Sequence, residues 1–377
     1  MKKVIVHRRH FNHPWIFSNE VVRAEDISPG EVVKIEERHK TIGVGFYNPH
    51  SLIAVRQYSE VEQDFDKNFI RKKLIDAGEI RKHMGKSYRF VYSESDSLPG
   101  LIIDRYEDYF VVQINSLGME QQKEKLFKIL VEDYGPKGIY EKSEENLRKL
   151  EGLEPVSNVI YGTVPEIIEI EQDGLRFLVD VINGQKTGFF LDQRENRLKA
   201  RESAKGEILD CFCYSGAFSL YAVKKGNILG IDSSASAIDL AQKNARLNNL
   251  ECSFECRDVF ETLREFARNR RSFDTIFLDP PSFTKSKKTK NQAFKGYKEI
   301  NLAAMQLLSD GGLLFTSSCS YHLSMQEFIE VLQDAAADAG RKFVIIHQGR
   351  QSGDHPILLN FQESNYLKAI FAVEIRS

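Results

Sequence analysis

Thr275-Ile276-Phe277-Leu278-Asp279-Pro280-Pro281-Ser282 decides how the rest of the chain is read. Four residues suited to a buried parallel strand end on an acid, and two prolines then deny the ladder its next N–H donors. Asp279 is therefore expected at the carboxyl end of a strand, where open α/β sheets receive ligands. An Asp-Pro-Pro turn that merely stops a strand would carry the same letters, so the flanking segments matter. Upstream, Glu207 to Asp210 reads as a strand, Asp210-Cys211-Phe212-Cys213-Tyr214-Ser215-Gly216 as its turn, and Ala217 onward as a helix. Downstream, Leu313 to Ser320 reads as another strand, ending in a serine cluster that holds Cys319.

Working outward, strands and helices alternate from Glu207 to Ala337, with strands at Asn227 to Asp232, Cys252 to Arg257 and Gly312 to Ser317. Helices are expected at Ala235 to Asn248, Val259 to Arg268, Tyr297 to Leu308 and Met325 to Ala337. This alternation demands a parallel sheet covered on both faces. The fold class is α/β, with a Rossmann-like domain expected over 181–377, entered through the loop Asn183 to Gly188 and a helix from Asp192. Residues 1–72 carry short β-like runs punctuated by Ser28-Pro29-Gly30 and Asn48-Pro49, which suits a small β-barrel, with a helix over Asp66 to Ala77 leading out. Residues 73–180 read as an α+β middle domain: strands near Phe90 to Tyr92, Leu101 to Asp104 and Phe110 to Asn115, then a helix over Glu120 to Tyr134. The charged run Lys142 to Leu150 is expected to be an exposed helix.

The 377 residues, 42% of them hydrophobic, suffice for two or three domains. Fifty-two basic and 54 acidic residues leave a formal charge of −2, so any nucleic-acid surface must be local. Two such patches stand out. Arg8, Arg9 and His10 lie beside Phe11, His13 and Trp15, and Lys285, Lys287, Lys288 and Lys290 follow directly on the Asp279 segment. Solvated basic loops would look the same. No apolar run approaches the ~18–20 residues of a spanning helix, and the start has no signal-peptide core, so the expected location is the cytoplasm, with no membrane partner. Five cysteines form an odd set with no paired metal-ligand motif, so disulfides, zinc and other metals are not expected.

The turn at Asp210 to Gly216 is not G-x-G-x-x-G, and Phe212 and Tyr214 would crowd a pyrophosphate, which favours a compact ligand over a dinucleotide. Asp232 closes the next strand at a spacing suited to gripping ribose hydroxyls, and Asp258, after the third, could accept a hydrogen bond from an adenine amino group. Each has a plain alternative as a helix cap.

Taken in order, L-D-C-F-C-Y-S-G-A-F-S, G-I-D-S-S, R-D-V-F, L-D-P-P-S-F and F-T-S-S-C-S resemble the motifs of class I S-adenosylmethionine-dependent RNA methyltransferases, most closely those acting on cytosine C5 of ribosomal RNA. H-P-W-I-F-S-N-E-V (His13 to Val21) is similar to the start of their PUA domain, and K-T-G-F-F-L-D-Q-R-E-N-R and G-R-Q-S-G-D-H-P to their later segments. The resemblance implies S-adenosylmethionine as cofactor, bordered by Asp210, Phe212, Tyr214, Ser215, Gly216, Asp232, Ser233, Asp258, Val259 and Asp279, with Gln193 and Arg194 closing over it. It implies ribosomal RNA as partner, touched by Arg8, Arg9, Trp15, Ser282 and the lysine run, and leaves room for a homodimer. Cytosine C5 is a poor nucleophile until a thiolate adds to C6, a role open to Cys319, with Asp279 stabilising the charge that develops. Many two-cysteine relatives carry a second cysteine directly after the Pro-Pro pair; here that position is Ser282, so the base that removes the C5 proton is left open. Two rival readings use part of the same sequence. Asp279-Pro280-Pro281 would suffice for methylating an exocyclic amino group, and a non-catalytic RNA-binding protein could sense the cofactor.

Overall fold

The computed structural model describes residues 1–8, 12–283 and 290–375. Two compact units result. The first comprises Met1–Ile170, Val179–Leu191 and Gly353–Ser364, the second Glu171–Leu178, Asp192–Ser352 and Asn365–Ser377.

The first unit opens with a six-stranded sheet in which Lys2–Val6 lies parallel to Val32–Glu37 and antiparallel to Val21–Ala24. The helix Lys67–Ile80 follows, its first turn capped by Asp66 accepting from Phe69 N at 2.8 Å. A five-stranded sheet comes next, with Ser87–Tyr92, Leu101–Tyr106 and Tyr109–Ile114 as consecutive neighbours. Leu126, Ile129 and Leu130 on the helix Lys123–Tyr134 are buried in its core. The run Lys142 to Leu150 is mostly exposed and helical, as expected, but its helix is short and one of its charges is buried. Lys142 belongs to the strand Gly138–Ser143, the helix is only Glu145–Arg148, and Arg148 is buried against Glu120 at 2.8 Å. Glu151 is likewise buried, paired with Arg56 at 3.1 Å. Charges that find buried partners leave the surface, which a polar run in a sequence does not reveal.

The second unit contains β1 (Gly206–Cys211), β2 (Gly226–Asp232), β3 (Ser253–Cys256), β4 (Phe273–Leu278), β5 (Leu308–Ser318), β6 (Lys342–Gly349) and β7 (Lys368–Ile375). They form one sheet in the order β3-β2-β1-β4-β5-β7-β6. The first five are parallel, and β7 runs antiparallel to both β5 and β6. The helices are α1 (Arg194–Ser203), α2 (Ala217–Ala222), α3 (Ala235–Leu247), α4 (Val259–Arg268), α5 (Lys290–Leu307) and α6 (Met325–Asp338).

Alternation along β4 sorts the sheet's two faces. Ile276 and Leu278 pack with Val259, Leu263, Tyr297, Ile300 and Phe328 from α4, α5 and α6. Phe277 turns the other way, to Phe218, Phe315 and Phe371, with Ala200 of α1 in the same cluster. Full burial of each such phenylalanine favours the fold by roughly 2–3 kcal/mol. One departure from expectation is that α5 starts at Lys290, where buried Ala293 holds the extra turns against the core. Another is that a 3-10 turn, Leu191–Gln193, precedes α1. At the base of the sheet Gly206 and Gly226 face each other in register, and a Cβ on Gly226 would lie 1.7 Å from the Gly206 carbonyl oxygen.

Candidate active site

Asp258, Asp232, Asp210 and Asp279 stand at the carboxyl ends of β3, β2, β1 and β4, four neighbouring strands, so the sheet aligns along one edge the acids that the sequence scatters. They are held in different ways. Asp210 is buried and accepts from Ser219 N at 3.0 Å and Ser219 Oγ at 2.6 Å, fastening α2 to the strand. Burial pushes its carboxyl up to about 7; Ser219 pulls it down, and the charges of Asp279 and Asp232 add to the rise. Asp232 is partly exposed and gripped by main-chain donors, Ser234 N at 2.9 Å on Oδ1 and Tyr214 N at 3.0 Å on Oδ2. Asp258 is exposed and caps α4 through Glu261 N at 2.9 Å, with Val259 buried beneath it.

The turn between β1 and α2 is tightly wound. Phe212, Tyr214 and Gly216 have φ of 62°, 46° and 77°, and the two non-glycine residues cost about 1–3 kcal/mol each. Cys213 N bonding to Ile231 O at 3.1 Å and Gly216 N to Cys213 O at 2.8 Å hold it in place. Ser215 Oγ is buried in this turn without a hydrogen-bond partner, and Ser233 is exposed just beyond Asp232. Burial drives the thiols of Cys211 and Cys213 well up, so both are inert packing groups.

Asp279 is the junction. Its Oδ1 accepts from Gln193 Nε2 at 2.8 Å and from Ser317 Oγ, and Asn196 Nδ2 fixes Gln193 in turn at 2.6 Å. Arg194, expected beside Gln193 over the cofactor, pairs with Asp173, which also accepts from Tyr221 OH at 2.6 Å.

Beyond Asp279 the chemistry changes. Cys319 is half-buried directly after β5, amid a hydroxyl network. Ser282 Oγ lies 2.8 Å from Ser320 Oγ, Tyr297 OH lies 2.9 Å from Ser320 Oγ, and Ser318 Oγ donates to Tyr297 OH at 2.9 Å. The Phe283 ring packs against Tyr297 at a tilt, centroids 4.7 Å apart. Burial raises the Tyr297 phenol, which stays a neutral hydroxyl. Lys368 at the start of β7 is buried and donates to Ser320 O and Tyr366 O, both at 2.6 Å. Lys368, Tyr297, Asp173 and Tyr221 are not expected from the sequence; only Lys368, a lysine opening the apolar run Ala369 to Val373, carries a visible signal there.

The expected RNA contacts that are described belong to both units. Lys290 begins α5 and pairs with Glu327 at 2.5 Å. In the first unit Trp15 donates its indole N–H to Glu94 at 2.6 Å beneath the Arg56 guanidinium, and Arg8 donates to His13 O and Gln57 Oε1. Arg9, Lys285, Lys287 and Lys288 lie outside the described residues. Among the described residues no group of three or more His, Cys, Asp or Glu is placed to hold a metal ion, and no helix is long and apolar enough to cross a membrane.

The residues suit the expected cofactor. Each Asp232 oxygen accepts one main-chain N–H and keeps a further lone pair, so the carboxylate is rigid yet still able to take a ribose diol.

Comparison with known proteins agrees. The profile of the PUA-like domain family matches residues 2–60, and that of S-adenosylmethionine-dependent methyltransferases matches residues 152–351. Proteins named ribosomal RNA large subunit methyltransferase I are similar over nearly their whole length. The one from Tolumonas auensis is 41% identical over 95% of this chain and 94% of its own. That from Pseudoalteromonas atlantica is 38% identical over 95% and 94%. Among solved structures, an S-adenosylmethionine-dependent methyltransferase from Streptococcus mutans superposes with a TM-score of 0.85 at 22% identity, over 99% of this chain and 100% of its own. A methyltransferase complexed with SAH gives 0.86 at 22%, with the same coverage.

Proposed function

The chain belongs to the S-adenosylmethionine-dependent methyltransferases, and from that premise we propose that it methylates C5 of a cytosine in ribosomal RNA, with Cys319 as nucleophile. The observation that carries the reading is that the thiol and the acid follow neighbouring strands of the sheet. Leu278 and Thr316 are partners in the parallel β4–β5 ladder, so Asp279 and Cys319 emerge from adjacent strands, and Ser317 ties the two ends together. The substrate class is supported by the names of the full-length relatives.

The chemistry follows from the groups present. The Cys319 thiolate adds to C6, forming an S–C bond, and the C5=C6 electron pair moves onto C5 and the ring. Asp279 would face the N3/N4 edge, accepting from the N4 amino group and, through a proton shared with N3, offsetting the negative charge that develops there. Bound S-adenosylmethionine supplies the electrophilic methyl group that the activated C5 accepts. Asp232 would hold its ribose, Asp258 its adenine, and the Asp210 to Gly216 turn would cradle it between them. A base then takes the C5 proton, the double bond re-forms, and the C6–S pair returns to sulfur as thiolate. Ser282, water and Asp279 are the candidates for that base.

RNA carrying 5-fluorocytosine at the target tests the reading. Fluorine cannot leave as a proton, so a covalent protein–RNA species should accumulate. Turnover of ordinary RNA without any trapped species would return the argument to amino-group methylation at Asp279-Pro280-Pro281.

A further inference from the structure

We infer that Lys368 is a positioning residue for this site: its buried ammonium, hydrogen-bonded to the Ser320 carbonyl one residue past Cys319, stabilises the thiolate. The inference rests on the reading of Cys319 as nucleophile. In the antiparallel β5–β7 ladder Lys368 is the partner of Ser318, and its Nζ donates to the carbonyl of Ser320 at 2.6 Å. It is thus attached on both sides of Cys319, across the ladder to the residue before and by a hydrogen bond to the residue after. Its remaining partner is another carbonyl, Tyr366 O at 2.6 Å. Among the described residues no carboxylate forms an ion pair with it, although the side chain is only 5% exposed. A buried ammonium answered by carbonyls alone is costly, and an anion beside it relieves the cost.

The surrounding charges point the same way. Burial lowers Lys368 to about 8, while the charge of Cys319, and after it that of Glu327, raises it. What the thiolate does for the ammonium, the ammonium does equally for the thiolate. Glu327 on α6 has its own partners, Lys290 at 2.5 Å and the N-cap of its helix at Ser324 N. Tyr297 on α5 stays neutral. The proton balance is simple: the thiol proton leaves to water and Lys368 keeps its own three. When sulfur bonds to C6 the anion moves to the base, and when the C6–S bond breaks the thiolate re-forms beside its cation. Lys368 therefore favours both creation of the nucleophile and its departure.

Alkylation of Cys319 by iodoacetamide against pH, read by mass spectrometry of its peptide in the full chain, tests this. Native Cys319 should titrate below the same residue in the urea-unfolded chain, and Lys368→Met should slow its alkylation near neutral pH by about tenfold, the effect of about one pH unit. Lys368→Arg, which keeps the charge, should react within about threefold of wild type. Methyl transfer by Lys368→Met should recover toward the wild-type rate as pH rises. A native thiol that titrates at or above its unfolded value overturns the inference even if the variants do not fold, and so does a folded Lys368→Met with a wild-type alkylation curve. Either result leaves cytosine-C5 chemistry standing. A Cys319→Ala enzyme that still methylates would instead remove that chemistry and leave the alkylation result intact.

Discussion

At the ends of β1 and β2 the polar groups are carboxylates held by Ser219 and by main-chain N–H groups, whereas past the end of β5 they are a thiol, a hydroxyl network and a buried ammonium. In the first region Asp232 is held by main-chain donors and keeps lone pairs for a neutral diol, while burial pushes the Asp210 carboxyl up to about 7. On the proposed mechanism the second receives an anion that comes and goes beside the Lys368 ammonium. Asp279 sits at the seam, linked to α1 by Gln193 and to β5 by Ser317. Cofactor retention and base activation should therefore respond to different substitutions.

Cys319→Ala gives the largest contrast. Turnover should fall by on the order of 10⁴-fold, while S-adenosylmethionine affinity by calorimetry stays within about twofold, below 0.5 kcal/mol. A parallel loss of affinity would mean that the two regions are not separable.

Asp210→Asn sharpens the comparison on the carboxylate side through pH. The folded-state carboxyl titrates at about 7 against an ordinary 3.8, so between those values the native chain holds a proton that the unfolded chain has lost. Stability from this group is full below the lower value and is lost as pH rises through the upper one; the difference corresponds to roughly 4 kcal/mol. In denaturant unfolding of the cofactor-free chain, wild type should lose stability across that window relative to Asp210→Asn, which shares its other titrating groups.

Asp232→Ala should come next. Losing charge-assisted hydrogen bonds to a ribose costs about 1.5–3 kcal/mol each, so the cofactor Kd should rise about 10²-fold. Iodoacetamide should still reach Cys319 at the wild-type rate; slower alkylation would couple the two regions. Ser282→Ala should have the smallest effect, a slowing of product release by about two- to fivefold with more covalent species at steady state, small beside the 10²–10⁴ of full acid–base catalysis.

The sheet and its acids were legible because strand–helix alternation and residues at strand ends are local signals. Cys319 stood out for the same reason, as the thiol at a strand's end. Arg148 and Glu151 were not legible, because their burial depends on Glu120 and Arg56, distant in sequence. The same holds for Arg194, whose partner Asp173 lies before the sheet begins. The parallel pairing of Lys2–Val6 with Val32–Glu37 is set by tertiary closure, which turn signals between neighbouring strands do not encode.

The glycine pair at the foot of β1 and β2 has a consequence for how this protein tolerates change. Position 226 has no space for even a methyl group, and the strand that starts there ends six residues later on Asp232. A replacement would push β2 aside or slip its register by one residue, and a slip of one turns every side chain on the strand to the opposite face. In a saturation screen scored on methylation, Gly226 would therefore look as intolerant as a residue that touches the cofactor, although it lies at the far end of the strand. Scoring the same library on abundance as well as activity would tell them apart: Gly226 variants should be lost from both, Cys319 variants from activity alone.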